Sequence, residues 1–122
     1  MTAGIYDYFT RACGRTASTN GIAGETVADA EGNTAVFRIA LEGGAIQSAS
    51  YQSTSCVTLV GFCEHLVELV QEQEAAAAFE LSASKLLELH AEVPEERRGR
   101  AVLAVSALHS AVRRAMEEES TR

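Results

Sequence analysis

A chain of 122 residues, 47% of them hydrophobic and with a net charge of −7, is long enough for one domain with a real core and too short for two ordinary ones. The hydrophobic content excludes a disordered chain, and the acidic balance excludes a nucleic-acid partner, because phosphate contact needs a basic face. No apolar run is long enough to cross a bilayer, and Met1–Asp7 has neither a basic start nor an apolar secretion segment. The expectation is a cytoplasmic protein with no membrane partner, folded as one domain over 1–122.

In chain order, residues 4–13 predict a short helix, with Ile5, Tyr8, Phe9 and Ala12 on one face and Gly14 as its stop. Residues 15–33 are polar and loop-like, with a short strand expected around 24–28. The segment from Thr34 to Leu41 then alternates, with Phe37, Ile39 and Leu41 on one side. Gly43-Gly44 supplies the positive φ of a hairpin turn, and Ala45 to Gln52 returns as the partner strand. At Cys56 the period changes from 2 to 3.6. Leu59, Val60, Cys63, Leu66, Val67 and Val70 form an apolar helical stripe. The Ala75–Ala78 run predicts a short helix or connector, and Ser82 caps a helix that ends at His90, with Leu86, Leu87 and Leu89 apolar. After Pro94 the longest helix is expected from Arg97 to about Glu118, on a stripe of Ala101, Val102, Val105, Leu108, Val112 and Met116, followed by a frayed, solvated tail through Arg122. Strands first and helices after indicate an α+β fold: a small antiparallel sheet of about three strands with helices packed on one face.

The chemistry-bearing residues are few. Three cysteines, at 13, 56 and 63, are an odd number that predicts no disulfide framework. There is no C-x-x-C for a zinc knuckle or a thioredoxin-type centre, no G-x-S-x-G elbow, and no phosphate-binding glycine motif. Cys56 stands out because it lies between a strand and a helix N-terminus, where the backbone dipole lowers a thiol pKa and favours thiolate. Cys63 is about 10 Å further along the same helix and shares its apolar stripe, so it reads as core packing. Cys13 reads as structural or incidental. His65 points away from that stripe and reads as a surface or boundary residue, and His90 sits at a helix C-terminus where the dipole favours its charged form. No two histidines have metal-ligand spacing. Arg97, Arg98 and Arg100, preceded by Glu95 and Glu96, read as a solvated helix start or as a patch for an acidic partner or an anion.

This order of elements, with one thiol at the strand-to-helix junction, resembles the IscU/NifU-type iron–sulfur scaffold family over nearly the whole chain. Tyr6-Asp7-Tyr8-Phe9 is similar to the family's opening helix. Asp29 to Asn33, followed by a strand, sits where the family has its C-G-D loop. Tyr51 to Cys56 resembles F-x-x-x-G-C, and Arg98 to Leu108 resembles R-x-C-A-x-L-A-x-x-A-L. The resemblance implies a SufE/NifU-like fold and a site for an iron–sulfur cluster, iron or zinc held by three cysteines and an aspartate. Carried over position by position, the first cysteine falls on Glu31, the aspartate on Asn33, the second cysteine on Cys56, and the third on Arg100, with a neighbouring histidine position at Gly99. Cys56 and Glu31 are then the residues left to bind metal. One thiolate is few for a cluster, and Arg100 brings a permanent positive charge, so a site with no cofactor is as well matched by the inventory.

Three functions follow. The chain is a scaffold-type subunit of iron–sulfur assembly, beside an intact scaffold or as a homodimer that pools two Cys56 thiolates. Alternatively, Cys56 accepts sulfur as a persulfide from a cysteine desulfurase and passes it to other assembly proteins. In the third reading, the fold is a non-metal-binding relic that serves as a protein-interaction module. In none of them is the chain an enzyme in its own right.

Overall fold

The computed structural model describes residues 3–15 and 18–121. The expected hairpin is its backbone: β3 (Thr34–Glu42) pairs antiparallel with β4 (Ala45–Ser53). Gly43 and Gly44 turn the chain at φ 60° and 82°, the left-handed geometry that a two-residue hairpin loop needs and glycine supplies without steric cost. Ala35, Phe37 and Ile39 alternate into the core, while an irregularity in the pairing between Ala40 and Leu41 leaves Leu41 only half-buried.

Among the described residues the sheet has four strands rather than about three. The strand expected at 24–28 is instead two short ones, β1 (Ile22–Ala23) and β2 (Val27–Ala28), both paired with the free edge of β3. They are separated by Gly24, whose N–H donates to the Phe37 carbonyl at 3.0 Å. A Cβ on Gly24 would lie 2.4 Å from the Ala111 nitrogen. The edge therefore bends to meet a helix at a residue with no side chain. Residues 16–17 of the preceding polar stretch, and Met1, Thr2 and Arg122 at the ends, lie outside the described residues.

The helices cover one sheet face. Helix α2 (Val57–Val70) is buried along most of its length, between the sheet, α1 (Ile5–Cys13) and α4 (Gly99–Ser120). Close contact between α1 and α2 is possible because Gly61 faces Ile5, where a Cβ would meet the Ile5 side chain at 2.7 Å. Ala75–Glu80 forms a 3₁₀ turn, and α3 (Ala83–Leu89) is capped by the Ser82 hydroxyl, which accepts from the Lys85 N–H at 3.1 Å. A second 3₁₀ turn, Glu95–Arg97, precedes α4, so this helix begins at Gly99 and runs to Ser120, well into the tail expected to fray. Its buried face also differs from the expected stripe. Leu103, Ala104 and Ala107 are buried, while Val102 is 56% exposed and Met116 lies at the surface. None of the helices is long and apolar enough among the described residues to cross a membrane.

His65, expected at the surface or boundary, is interior, and so is His90 at the C-terminal end of α3. His65 Nδ1 lies 2.7 Å from His90 Nε2, and Tyr8 of α1 stacks on the His65 ring at 4.1 Å between centroids. On its other side His90 Nδ1 lies 3.5 Å from Glu92 Oε2, and the same carboxylate accepts the Ile5 N–H at 2.8 Å. The packing of α1 over α2 closes the two imidazoles off from water, while the Glu92 side chain at the end of the chain of polar groups stays half exposed. Burial, followed by the neighbouring His90, holds His65 down to a pKa of about 4. A second buried polar group, Glu64, accepts from the Tyr51 hydroxyl at 2.9 Å and from the Arg15 guanidinium. It ties α2 to β4 and to the segment after α1.

Candidate functional site

The site lies where three segments meet: the β4–α2 junction, the loop before β3, and the first turn of α4. β4 ends at Ser53, and Cys56 becomes the N-cap residue of α2 with extended backbone, φ −100° and ψ 120°. Its carbonyl accepts the first helical bond, from Val60 N–H at 2.9 Å. No side chain caps the helix and no acidic residue lies in its first turn. The positive end of the dipole is therefore uncompensated beside the thiol. Cys56 itself is half-buried against the edge of the core.

The loop is organised by Asp29, a residue that sequence reasoning did not single out. Its carboxylate accepts from the backbone N–H of Glu31 and of Asn33, both at 2.9 Å, and from Asn33 Nδ2 at 3.1 Å. Gly32 turns the chain at φ 87°. Desolvation pushes the Asp29 carboxyl up, but the hydrogen bonds from Asn33 and Glu31, with the charge of Arg100, outweigh it and leave the group below its ordinary range. The available signal was Asp29 two residues before Glu31 and four before Asn33 around a glycine, the pattern of an Asx turn. Thr54 fastens this loop to the junction: its hydroxyl donates to Asn33 Oδ1 at 3.3 Å and accepts the Thr34 N–H at 3.2 Å.

From α4, Arg100 reaches both other segments. Its two terminal nitrogens donate to the two Glu31 oxygens at 3.0 and 3.1 Å, a bidentate fork. The Arg100 side chain is 11% exposed and that of Glu31 63%, so the carboxylate lies over a guanidinium that the fold has mostly enclosed. The Glu31 hydrogen bond, followed by the Cys56 sulfur, raises the Arg100 pKa above its ordinary value. The third guanidinium nitrogen, Nε, is buried without a hydrogen-bond partner among the described residues.

Of the residues expected at the site, Cys56, Glu31 and Arg100 converge. Asn33 is turned into the loop's own hydrogen bonds, to Asp29 and Thr54, and Gly99 opens α4 with nothing within 4 Å of where a side chain would begin. Cys63 is fully buried, as expected of core packing, and burial together with Glu64 pushes its thiol up. Cys13 is exposed, and all three cysteines are free.

This donor set does not fit a metal ion or a cluster. No group of three His, Cys, Asp or Glu residues is placed to hold a metal among the described residues. Glu31 is already engaged by Arg100. The Arg100 guanidinium beside Cys56 repels a cation.

The family model of the NifU-like N-terminal domain matches residues 3–121. The chain belongs to the NifU-like N-terminal domain family. No protein with a curated description matches it. Among solved structures, it is similar to a protein from the thermophile Fervidobacterium islandicum AW-1 described as an iron–sulfur cluster assembly scaffold for the SUF system, with 13% identity, TM-score 0.70, and 88% of this chain and 93% of that one covered. It is also similar to the N-terminal part of a nitrogen-fixing NifU-like protein from Brucella abortus, with 12% identity, TM-score 0.69, and 91% and 93% covered. Identities this low establish a shared fold. They bear out the α+β, NifU-like architecture.

Proposed function

We propose that this chain is a scaffold-type member of an iron–sulfur assembly system that handles sulfur rather than metal, with Cys56 as the carrier. The observation that supports this reading is the Arg100 guanidinium, which stands beside Cys56 where the family pattern has its third cysteine. One thiol beside one fixed cation suits an anionic sulfur group, and the same pair is poor for iron or zinc. Membership of the NifU-like N-terminal domain family supports a part in cluster assembly, and this chemistry selects one part of that work.

In the step this implies, the Cys56 thiolate attacks the outer sulfur of a persulfide on a cysteine desulfurase. The donor's S–S bond breaks, the donor thiolate leaves with the bonding electron pair, and Cys56 becomes Cys56–S–SH. A thiolate on an intact scaffold then takes the outer sulfur in the same way and regenerates Cys56. No net oxidant is needed, because sulfane sulfur moves between thiolates. The chain acts as a carrier and performs no net chemistry on its own.

The test is peptide mass spectrometry after anaerobic incubation with a cysteine desulfurase and cysteine. One added sulfur on Cys56, absent in Cys56→Ser, supports the reading. An unmodified Cys56 under conditions that load an intact scaffold removes it.

A further inference from the structure

The pairing of Arg100 with Glu31 is lopsided. The arginine is largely enclosed and its Nε lacks a partner among the described residues, while the carboxylate that satisfies its other two nitrogens comes from an exposed loop residue. The Glu31 carboxylate is 63% exposed, so water replaces its side of the pair and it can be exchanged at small cost. A guanidinium fork binds any planar or compact anion that presents the same geometry. The α2 N-terminus has no acidic residue in its first turn, and Glu31 is the carboxylate paired directly with the Arg100 guanidinium, while Asp29, tied into its own loop, acts on Arg100 through its charge.

We infer that Glu31 is the resting occupant of an anion subsite built on Arg100, and that the terminal sulfur anion of a persulfide on Cys56 displaces it. Glu31 is thus a gate of matching charge. It repels free anions from Cys56 while in place, and it yields Arg100 when an anion is delivered covalently beside it. Asp29 acts upstream as a positioning residue, since its hydrogen bonds to the Glu31 and Asn33 backbone hold the loop that carries the gate. The inference rests on the sulfur-carrier reading.

The test uses no sulfur donor, so its outcome is separable from that reading. The full chain is alkylated with iodoacetate, which is anionic, and with iodoacetamide, which is neutral. Peptide mass spectrometry gives the rate at Cys56, with exposed Cys13 as the internal reference. The ratio of the two rates is measured in the parent chain, Glu31→Gln, Arg100→Gln and the double variant. The expected result is a rise of about fivefold in the iodoacetate preference at Cys56 in Glu31→Gln, the ceiling for an exposed ion pair, with no such rise when Glu31→Gln is made in Arg100→Gln. Arg100→Lys, which keeps the charge without the fork, serves the same cycle if Arg100→Gln does not fold. An equal rise in both backgrounds means that Glu31 acts as a bare charge and overturns the gate. No rise in either background overturns it as well.

Discussion

The buried histidine pair makes stability depend on acid in a defined window. His65 has its pKa lowered to about 4 from an ordinary 6.5, so the folded chain keeps it neutral where the unfolded chain protonates it. Between those two values the unfolded state binds the additional proton, and stability falls as pH falls; below about 4 the contribution levels off. The difference from 6.5 to about 4, at about 1.4 kcal/mol per unit, sets a ceiling of about 3 kcal/mol. Around the ring, Tyr8 stacks, His90 and Arg11 oppose a proton, and Glu68 favours one. Protonating His65 while His90 Nε2 also carries hydrogen would set two donors against each other across 2.7 Å. The carboxylates lowered by their partners, Asp29 and Glu92, start from ordinary values of 3.8 and 4.5 and lose stability only below them, so they leave the upper part of the window clear. Urea unfolding at about pH 7 and about pH 5, followed by far-ultraviolet circular dichroism, reads the effect as a loss of about 2 kcal/mol at constant m-value. His65→Asn keeps a donor toward His90 without a titrating ring and flattens the dependence. A parent chain whose midpoint is unchanged between the two pH values, or an Asn variant that falls as steeply, refutes the reasoning.

Three further outcomes follow from packing. Tyr51→Phe removes the hydroxyl donated to the buried Glu64 carboxylate and lowers stability by about 2 kcal/mol in urea unfolding, the scale of a hydrogen bond to a charged group. Gly24→Ala forces a methyl against the backbone of α4 at Ala111 and lowers the thermal midpoint through a loss of about 2 kcal/mol. On α4, Leu103→Ala costs about 2–5 kcal/mol, whereas Val102→Ser, on the exposed side, stays within about 0.5 kcal/mol. Equal costs at the two positions would mean that the helix presents a different face to the sheet.

The local signals in the sequence carried the hairpin and the Cys56 junction. Alternation at Phe37 and Ile39, two consecutive glycines and the change of period after Cys56 each act over a few residues. α4 was harder to orient, because alanines at 101, 104, 107, 111 and 115 are small enough to pack on any side. Burial there is decided by which face meets β3. The interior position of His65 and His90 depends on Tyr8, from a helix distant in sequence, covering a pair themselves 25 residues apart; no short window contains that information. In the site, the positions taken by Cys56, Glu31 and Arg100 followed from the family pattern. The Glu31–Arg100 fork and the Asp29 turn that presents it needed the structure, because the paired residues lie 69 positions apart.

The most direct measurement is native mass spectrometry of the chain after anaerobic incubation with a cysteine desulfurase, cysteine and ferrous iron together. A thiol beside Arg100 predicts one added sulfur localised to Cys56 and no retained iron. Iron or an iron–sulfur cluster bound to the chain, with Cys56 as a ligand and no persulfide on the free form, contradicts the account.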